Sequence, residues 1–214
     1  MKILIAIPTF ENIYPDTYRS VWNLDKADHE VDFEFIRGYD CATARNKIII
    51  TAQDRKADYV LMVDNDIELP ADALINLLDE PREVCLGYYA HRNEDNQYTG
   101  RVSVCQMNKP DGMPYLNYPL ESEYTAKELK QMREAGRKKV RIHGGGMGCA
   151  LIRMEVIKKI AYPWYDWVNY KGAERRMLSE DLYFCEKCKA ADVPIYTDTR
   201  VACGHLFRHM QWPE

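Results

Sequence analysis

Hydrophobic and polar positions alternate along this chain in blocks that change period. Ile3 to Ile7 is a near-continuous apolar run, the pattern of a strand covered on both faces, and it stops at Pro8. Within residues 15–24, Tyr18, Val21 and Trp22 recur at helical spacing. Val31, Phe33 and Phe35 alternate with acids and predict a second strand. Residues 43–56 read as a helix with Ala44, Ile48 and Ala52 on one face. Val60 to Val63 predicts a third, buried strand. Pro70 suits the first position of a helix whose apolar side is Leu74, Leu77 and Leu78. Val84 to Ala90 predicts a fourth strand. Alternating strands and helices over the first 90 residues predict an α/β fold, with a mostly parallel sheet covered by helices on both faces. Ligands of such sheets gather beyond the carboxyl ends of the strands, where Pro8-Thr9-Phe10-Glu11 and Asp64-Asn65-Asp66 both fall.

The remainder is less regular. Residues 98–118 read as a hairpin around Asn108-Lys109-Pro110-Asp111-Gly112. A Thr125/Glu128 capping box opens a charged helix that Gly136 stops. Gly144, Gly145, Gly146 and Gly148 then feed an apolar strand. A short helix over 154–160 precedes the aromatic segment Trp164, Tyr165 and Trp167. Ser179 caps a helix running to Ala191, and two short strands, 195–197 and 201–203, deliver Gly204-His205. With no linker or repeat, residues 1–214 read as a single domain.

Composition narrows the function. A formal net charge of −4 does not suggest a nucleic-acid surface, and the basic run Arg137 to Arg141 reads as a solvated edge. Seven scattered cysteines fit reduced, buried thiols better than a disulfide framework. Cys185 and Cys188, with Cys203 and His205 later, imitate a zinc pattern, but the first pair lies inside a predicted helix, so core thiols are expected. The N-terminus reads as a strand rather than a signal peptide, and no apolar run approaches the ~20 residues that span a bilayer. A cytoplasmic protein, at most peripheral to a membrane, is expected.

The chemistry concentrates in four places. Asp64 and Asp66, two positions apart beyond a strand, face one side and call for a cation; hard oxygen ligands suit Mg²⁺ or Mn²⁺ shared with substrate phosphates. A solvated Asp-Asn-Asp turn is the plainer alternative. His205 could join such a site or be a satisfied structural histidine. Ser179-Glu180-Asp181 is fully explained as a helix start, yet could supply a general base. The glycine cluster permits close backbone approach to a ligand, or a flexible flap.

Taken in order, ILIAIPTFEN, ATARNK, VLMVDNDIELP, GGGMGCALIRMEVIKKI and the PWYDW…SEDLYFCEKCKAADVPIYTDTRVACGH tail resemble the GT-A nucleotide-sugar glycosyltransferases, close to family 2. The resemblance covers almost the whole chain. It implies a Rossmann-like GT-A domain with residues 1–90 as the nucleotide-binding half and 91–214 as the acceptor half. It implies transfer of a sugar from a nucleoside diphosphate sugar, with UDP the expected nucleotide, to an acceptor hydroxyl, with inversion. Asp66 and His205 would hold Mn²⁺ or Mg²⁺, and Asp64 would contact the metal, ribose or sugar. Pro8, Thr9, Glu11, Arg45 and Asn65 would serve the donor, as would Gly145, Gly146 and Trp164. Asp181 would be the base. The family's acid-rich turn after the second strand reads IRGYD here, which leaves Asp40 as the acid at that place. The acceptor class stays open among glycan, lipid-linked sugar, protein, small molecule and modified nucleic-acid base. The competing readings are a non-catalytic nucleotide- or sugar-binding module, a nucleotidyltransferase, and a zinc or nucleic-acid module.

Overall fold

The computed structural model describes residues 1–92, 97–107, 122–169, 177–206 and 210–211. In chain order the elements begin with β1 (Lys2–Thr9), α1 (Pro15–Trp22), β2 (Glu30–Arg37), α2 (Cys41–Asp54), β3 (Tyr59–Val63), β4 (Ile67–Glu68) and α3 (Ala73–Leu78). There follow β5 (Val84–Arg92), β6 (Tyr98–Val102), β7 (Val104–Cys105), α4 (Ala126–Glu134), β8 (Lys139–Ile142), β9 (Gly144–Gly145) and β10 (Cys149–Arg153). A 3₁₀ turn (Met154–Lys158) leads to β11 (Val168–Asn169), β12 (Met177–Leu178), α5 (Glu180–Ala190), β13 (Ile195–Leu206) and β14 (Met210–Gln211).

The central sheet runs β14-β13-β5-β10-β3-β1-β2, with β4 and β8 also paired to β13 and β6 to β5. β1 pairs parallel with β2 and β3, and β5 with β13; β10 runs antiparallel between β3 and β5. The apolar run of β1 follows from this central place. Leu4 and Ala6 point into one buried layer with α2 and α5, while Ile3, Ile5 and Ile7 point into the other with α1 and α3. The period of two sorts one strand into two cores.

Helix starts follow the local chemistry. The Asp40 carboxylate accepts from Thr43 N at 3.1 Å at the head of α2. The Thr125/Glu128 capping box forms, and Gly136 stops α4 with φ of +78°.

Three expectations need correction, and a fourth falls largely outside the described residues. Pro70 is not the first residue of α3; it precedes a turn in which Ala73 N donates to Pro70 O at 3.0 Å, and the helix starts at Ala73. The hairpin expected over 98–118 turns within residues 108–118, which lie outside the described residues; of its near arm, β6 pairs antiparallel with β5, and Val102 N donates to Tyr124 O at 2.9 Å and Gln106 N to Ser122 O at 2.8 Å. The segment expected as a helix over 154–160 is a five-residue 3₁₀ turn. The two short strands near the C-terminus are one, β13, whose register against β5 shifts between Thr197 and Ala202. That irregular stretch is held by charge. Lys139 Nζ lies 2.7 Å from Asp198, with side-chain exposures of 1% and 0%, and Arg200 grips the same carboxylate at 2.7 Å.

Candidate active site

The carboxyl ends of β1, β3 and β5 meet the late part of β13 around one opening. A cavity of about 570 Å³ there is lined by Pro8, Thr9, Asp64, Asn65, Asp66 and His205, among others. Phe10 and Tyr39 stand exposed on its rim, and Lys47 lies 4.5 Å over the Tyr39 ring. Asp40 lines it too, with one oxygen committed to capping α2. Thr9 Oγ1 donates to Asn12 O, and Asn65 Nδ2 donates to the same carbonyl at 2.8 Å, so the two loops brace each other. Glu11 is exposed and lies outside this lining; its carbonyl accepts from Arg37.

Asp64 and Asp66 face different partners. Asp64 is gripped by Arg45, with Nη2 donating to Oδ2 at 3.2 Å and Nη1 3.1 Å from Oδ1. Asp66 Oδ2 accepts from Arg92 Nη2 at 2.9 Å and lies 3.4 Å from His205 Nε2. Burial pushes the Asp66 carboxyl up, but His205 and Arg92 outweigh it and hold the group below its ordinary value. His205 Nδ1 is 2.7 Å from Ala90 O. A carbonyl only accepts, so Nδ1 carries the proton and Nε2 faces the carboxylate. A lone pair directed at a carboxylate is satisfied by a shared proton or a shared cation. Asp66 and His205 thus fit two positions on a hard divalent ion whose others would be filled by phosphate oxygens and water. Among the described residues no group of three or more His, Cys, Asp or Glu side chains is arranged so that it could hold a metal ion by itself.

The main electrostatic feature lies one layer deeper. Arg45, buried on α2, also has its Nε 3.1 Å from Asp181 Oδ1 and 3.6 Å from Glu180 Oε1. Three carboxylates therefore share one guanidinium. The Nε–Asp181 contact is close but not aligned for a hydrogen bond, and both atoms are left without one. Asp181 Oδ2 accepts from Met147 N at 3.1 Å. Burial drives the Asp181 carboxyl up; Arg45 opposes this, Glu180 and Asp64 reinforce it, and the result is about 7. Glu180 is raised as well, chiefly by burial.

Tyr89 separates this cluster from the metal-type pair. Its ring meets His205 edge-on at a centroid distance of 5.0 Å, and its hydroxyl accepts from Gly148 N at 3.2 Å. Two glycines make room for it: a Cβ on Gly146 would stand 2.2 Å and one on Gly148 2.9 Å from the Tyr89 hydroxyl, while Gly145 makes room for Ser103 O, 2.6 Å from where its Cβ would stand. In this conformation that close approach serves the protein's own tyrosine. A second cavity, about 330 Å³, opens on the far side, lined by Tyr89, His91, Ser103, Gly145, Gly146 and Asp181, among others.

Trp164 is buried and its indole Nε1 donates to Ile160 O at 3.0 Å; it lines neither cavity. The buried Asn46 carbonyl oxygen accepts from both Trp164 N and Tyr165 N, so this segment anchors to α2 beside Arg45. Tyr89, His91 and Arg92 carry no local signal in the sequence beyond their place on a strand. For the shared arginine a signal exists: Arg45 and Asn46 stand among the otherwise apolar buried positions of α2.

No family model matches the chain, and no curated protein matches it. Among solved structures it is similar to A197 from STIV, with a TM-score of 0.59 at 16% identity over 97% of this chain and 86% of that one. It is also similar to GalNAc-T7, solved with UDP, GalNAc and Mn²⁺, with a TM-score of 0.59 at 14% identity. That match covers 97% of this chain but 44% of GalNAc-T7. The likeness is one of fold: the chain has the GT-A architecture, a mixed α/β, Rossmann-like sheet.

Proposed function

We propose that this protein transfers a sugar from a nucleoside diphosphate sugar, with UDP the favoured nucleotide, to an acceptor hydroxyl. The observation that carries the reading is the charge imbalance around Arg45. A carboxylic acid beside a cavity with a proton affinity matched to neutral pH is suited to general base work.

In this reading the larger cavity takes the donor. Phe10 and Tyr39 offer faces for the nucleobase at the rim, and the braced Thr9–Asn65 loops hold the ribose side. Asp66 and His205 would hold Mn²⁺ or Mg²⁺, which supplies neutralisation of the charge that grows on a departing diphosphate. Arg92, already on Asp66, adds a second positive group there. The acceptor enters the 330 Å³ cavity with its hydroxyl against Asp181. Asp181 takes the hydroxyl proton, the oxygen bonds to the anomeric carbon, and the carbon–oxygen bond to the diphosphate breaks with its electron pair leaving on phosphate. Attack from the side opposite the leaving group gives inversion. Arg45 keeps Asp181 in place and answers Asp64 on the donor side. The likeness to GalNAc-T7, solved with UDP and Mn²⁺, supports the donor class.

The test is Asp181→Asn. Transfer should fall roughly 10²- to 10⁴-fold while donor affinity, read by calorimetry, holds. A full transfer rate in that variant would remove Asp181 as the base. If the wild type binds nucleotide sugars but turns over none of them, the binding-module reading replaces this one.

A further inference from the structure

Tyr89 and His91 are two residues apart on β5, so both side chains leave the same face of the strand. Tyr89 is the partition, and His91 lines both cavities beside it. The His91 ring is aimed. Its Nδ1 lies 2.7 Å from Glu123 Oε2, a carboxylate only 7% exposed. Glu123 is itself fixed, since its carbonyl accepts from Arg101 Nη1 at 2.9 Å. Thr99 Oγ1 donates to the His91 carbonyl at 3.1 Å.

A carboxylate accepts, so Nδ1 of His91 carries the proton, and in the neutral ring Nε2, across from it, keeps the lone pair. Among the described residues the contact with Glu123 is the ring's hydrogen bond, and 39% of the side chain is open. A lone pair at that junction would repel a diphosphate. It would accept from a hydroxyl.

We propose that His91, oriented by Glu123, is a specificity-determining residue whose Nε2 accepts a hydrogen bond from a ring hydroxyl of the sugar being transferred. This rests on the donor reading above, which puts that sugar between the Asp66 end and Asp181. The ligand class is therefore a hexose-type ring bearing a free hydroxyl toward β5. Glu123 acts through His91 and is a positioning residue.

The experiment is calorimetric titration, with Mn²⁺ present, of UDP, GDP and their hexose conjugates. The readout is the ratio of conjugate affinity to nucleotide affinity. His91→Ala should leave nucleotide affinity unchanged and lower the ratio for the preferred sugar roughly five- to tenfold, the worth of one hydrogen bond. Glu123→Ala should do the same in part. Glu123→Gln, whose amide oxygen still accepts from Nδ1, should keep the ratio near that of the wild type. An unchanged ratio in His91→Ala, or equal weakening of nucleotide and conjugate, overturns the proposal and leaves the donor reading standing. A wild type that binds neither nucleotides nor conjugates overturns the donor reading and this proposal with it.

Discussion

Replacing Asp181 by asparagine should make the protein more stable, and the gain should depend on pH. Folding moves the Asp181 carboxyl from its ordinary value of 3.8 to about 7, because burial and two neighbouring carboxylates outweigh one shared arginine. The folded state therefore binds this proton more tightly than the unfolded chain does. Stability is full below the unfolded value, falls as pH rises from there, and stays low once pH passes the folded value. A shift of about 3 units corresponds to about 4 kcal/mol at 1.36 kcal/mol per unit. The side chain is 18% exposed, and that solvent screens part of the cost, so about 2–4 kcal/mol is expected. The asparagine side chain is isosteric with aspartate and never charged. The unfolding free energy, from urea melts of wild type and variant at pH 5, 6, 7 and 8, should show a variant advantage that grows by about 2 kcal/mol from pH 5 to pH 8. A constant difference across that range would refute the charge-imbalance argument. The same variant should be the poor catalyst, so stability and turnover would move in opposite directions.

Asp66→Ala should abolish the Mn²⁺-dependent part of UDP affinity; equal affinity with and without Mn²⁺ in the wild type would contradict the role given to Asp66 and His205. Gly146→Ala forces a methyl group against the Tyr89 hydroxyl and should cost about 1–3 kcal/mol in urea melts, with part recovered in the Gly146→Ala/Tyr89→Phe double variant. Lys139→Ala leaves Asp198 buried with Arg200 alone and should cost about 3 kcal/mol; a loss below about 0.5 kcal/mol, the size of ordinary surface substitutions, would mean that the pair is dispensable.

Periodicity carried the first half of the fold because each strand of the sheet centre is apolar on both faces and each helix has one apolar side. The pattern weakened where charge, not hydrophobicity, shapes the chain. The single strand β13 read as two pieces because Asp198, Thr199 and Arg200 interrupt its apolar residues, and only three-dimensional pairing with Lys139 makes that interruption tolerable. Pro70 looked like a helix start because proline fits that position, but it serves a turn equally well. At the site, Asp64, Asp66, His205 and the pair Glu180-Asp181 could be marked as candidates because strand ends and helix starts are recognisable locally; the family resemblance, not the local pattern, singled out Asp181. Their partners could not. Arg45 meets Glu180 and Asp181 across more than 130 residues of chain, and nothing local marks Tyr89 as the residue the glycines accommodate. Trp164 was placed at the donor by the family resemblance alone, and exposed and buried tryptophans look alike in sequence.

On the proposed reading, the fit of Tyr89 into the glycine turn bears on how this protein could change its substrates. Tyr89, with His91 beside it, stands as the party wall between the two chambers, backed by glycines on one side and touching His205 on the other. Any larger or smaller residue there would disturb both tenants at once, and any residue but glycine at position 146 would push the wall into the neighbouring room. Variation that retunes one partner alone has to come from residues away from Tyr89: Phe10 and Tyr39 on one side, Leu182 on the other. Diversification in relatives of this chain should therefore gather at those thresholds and spare the wall.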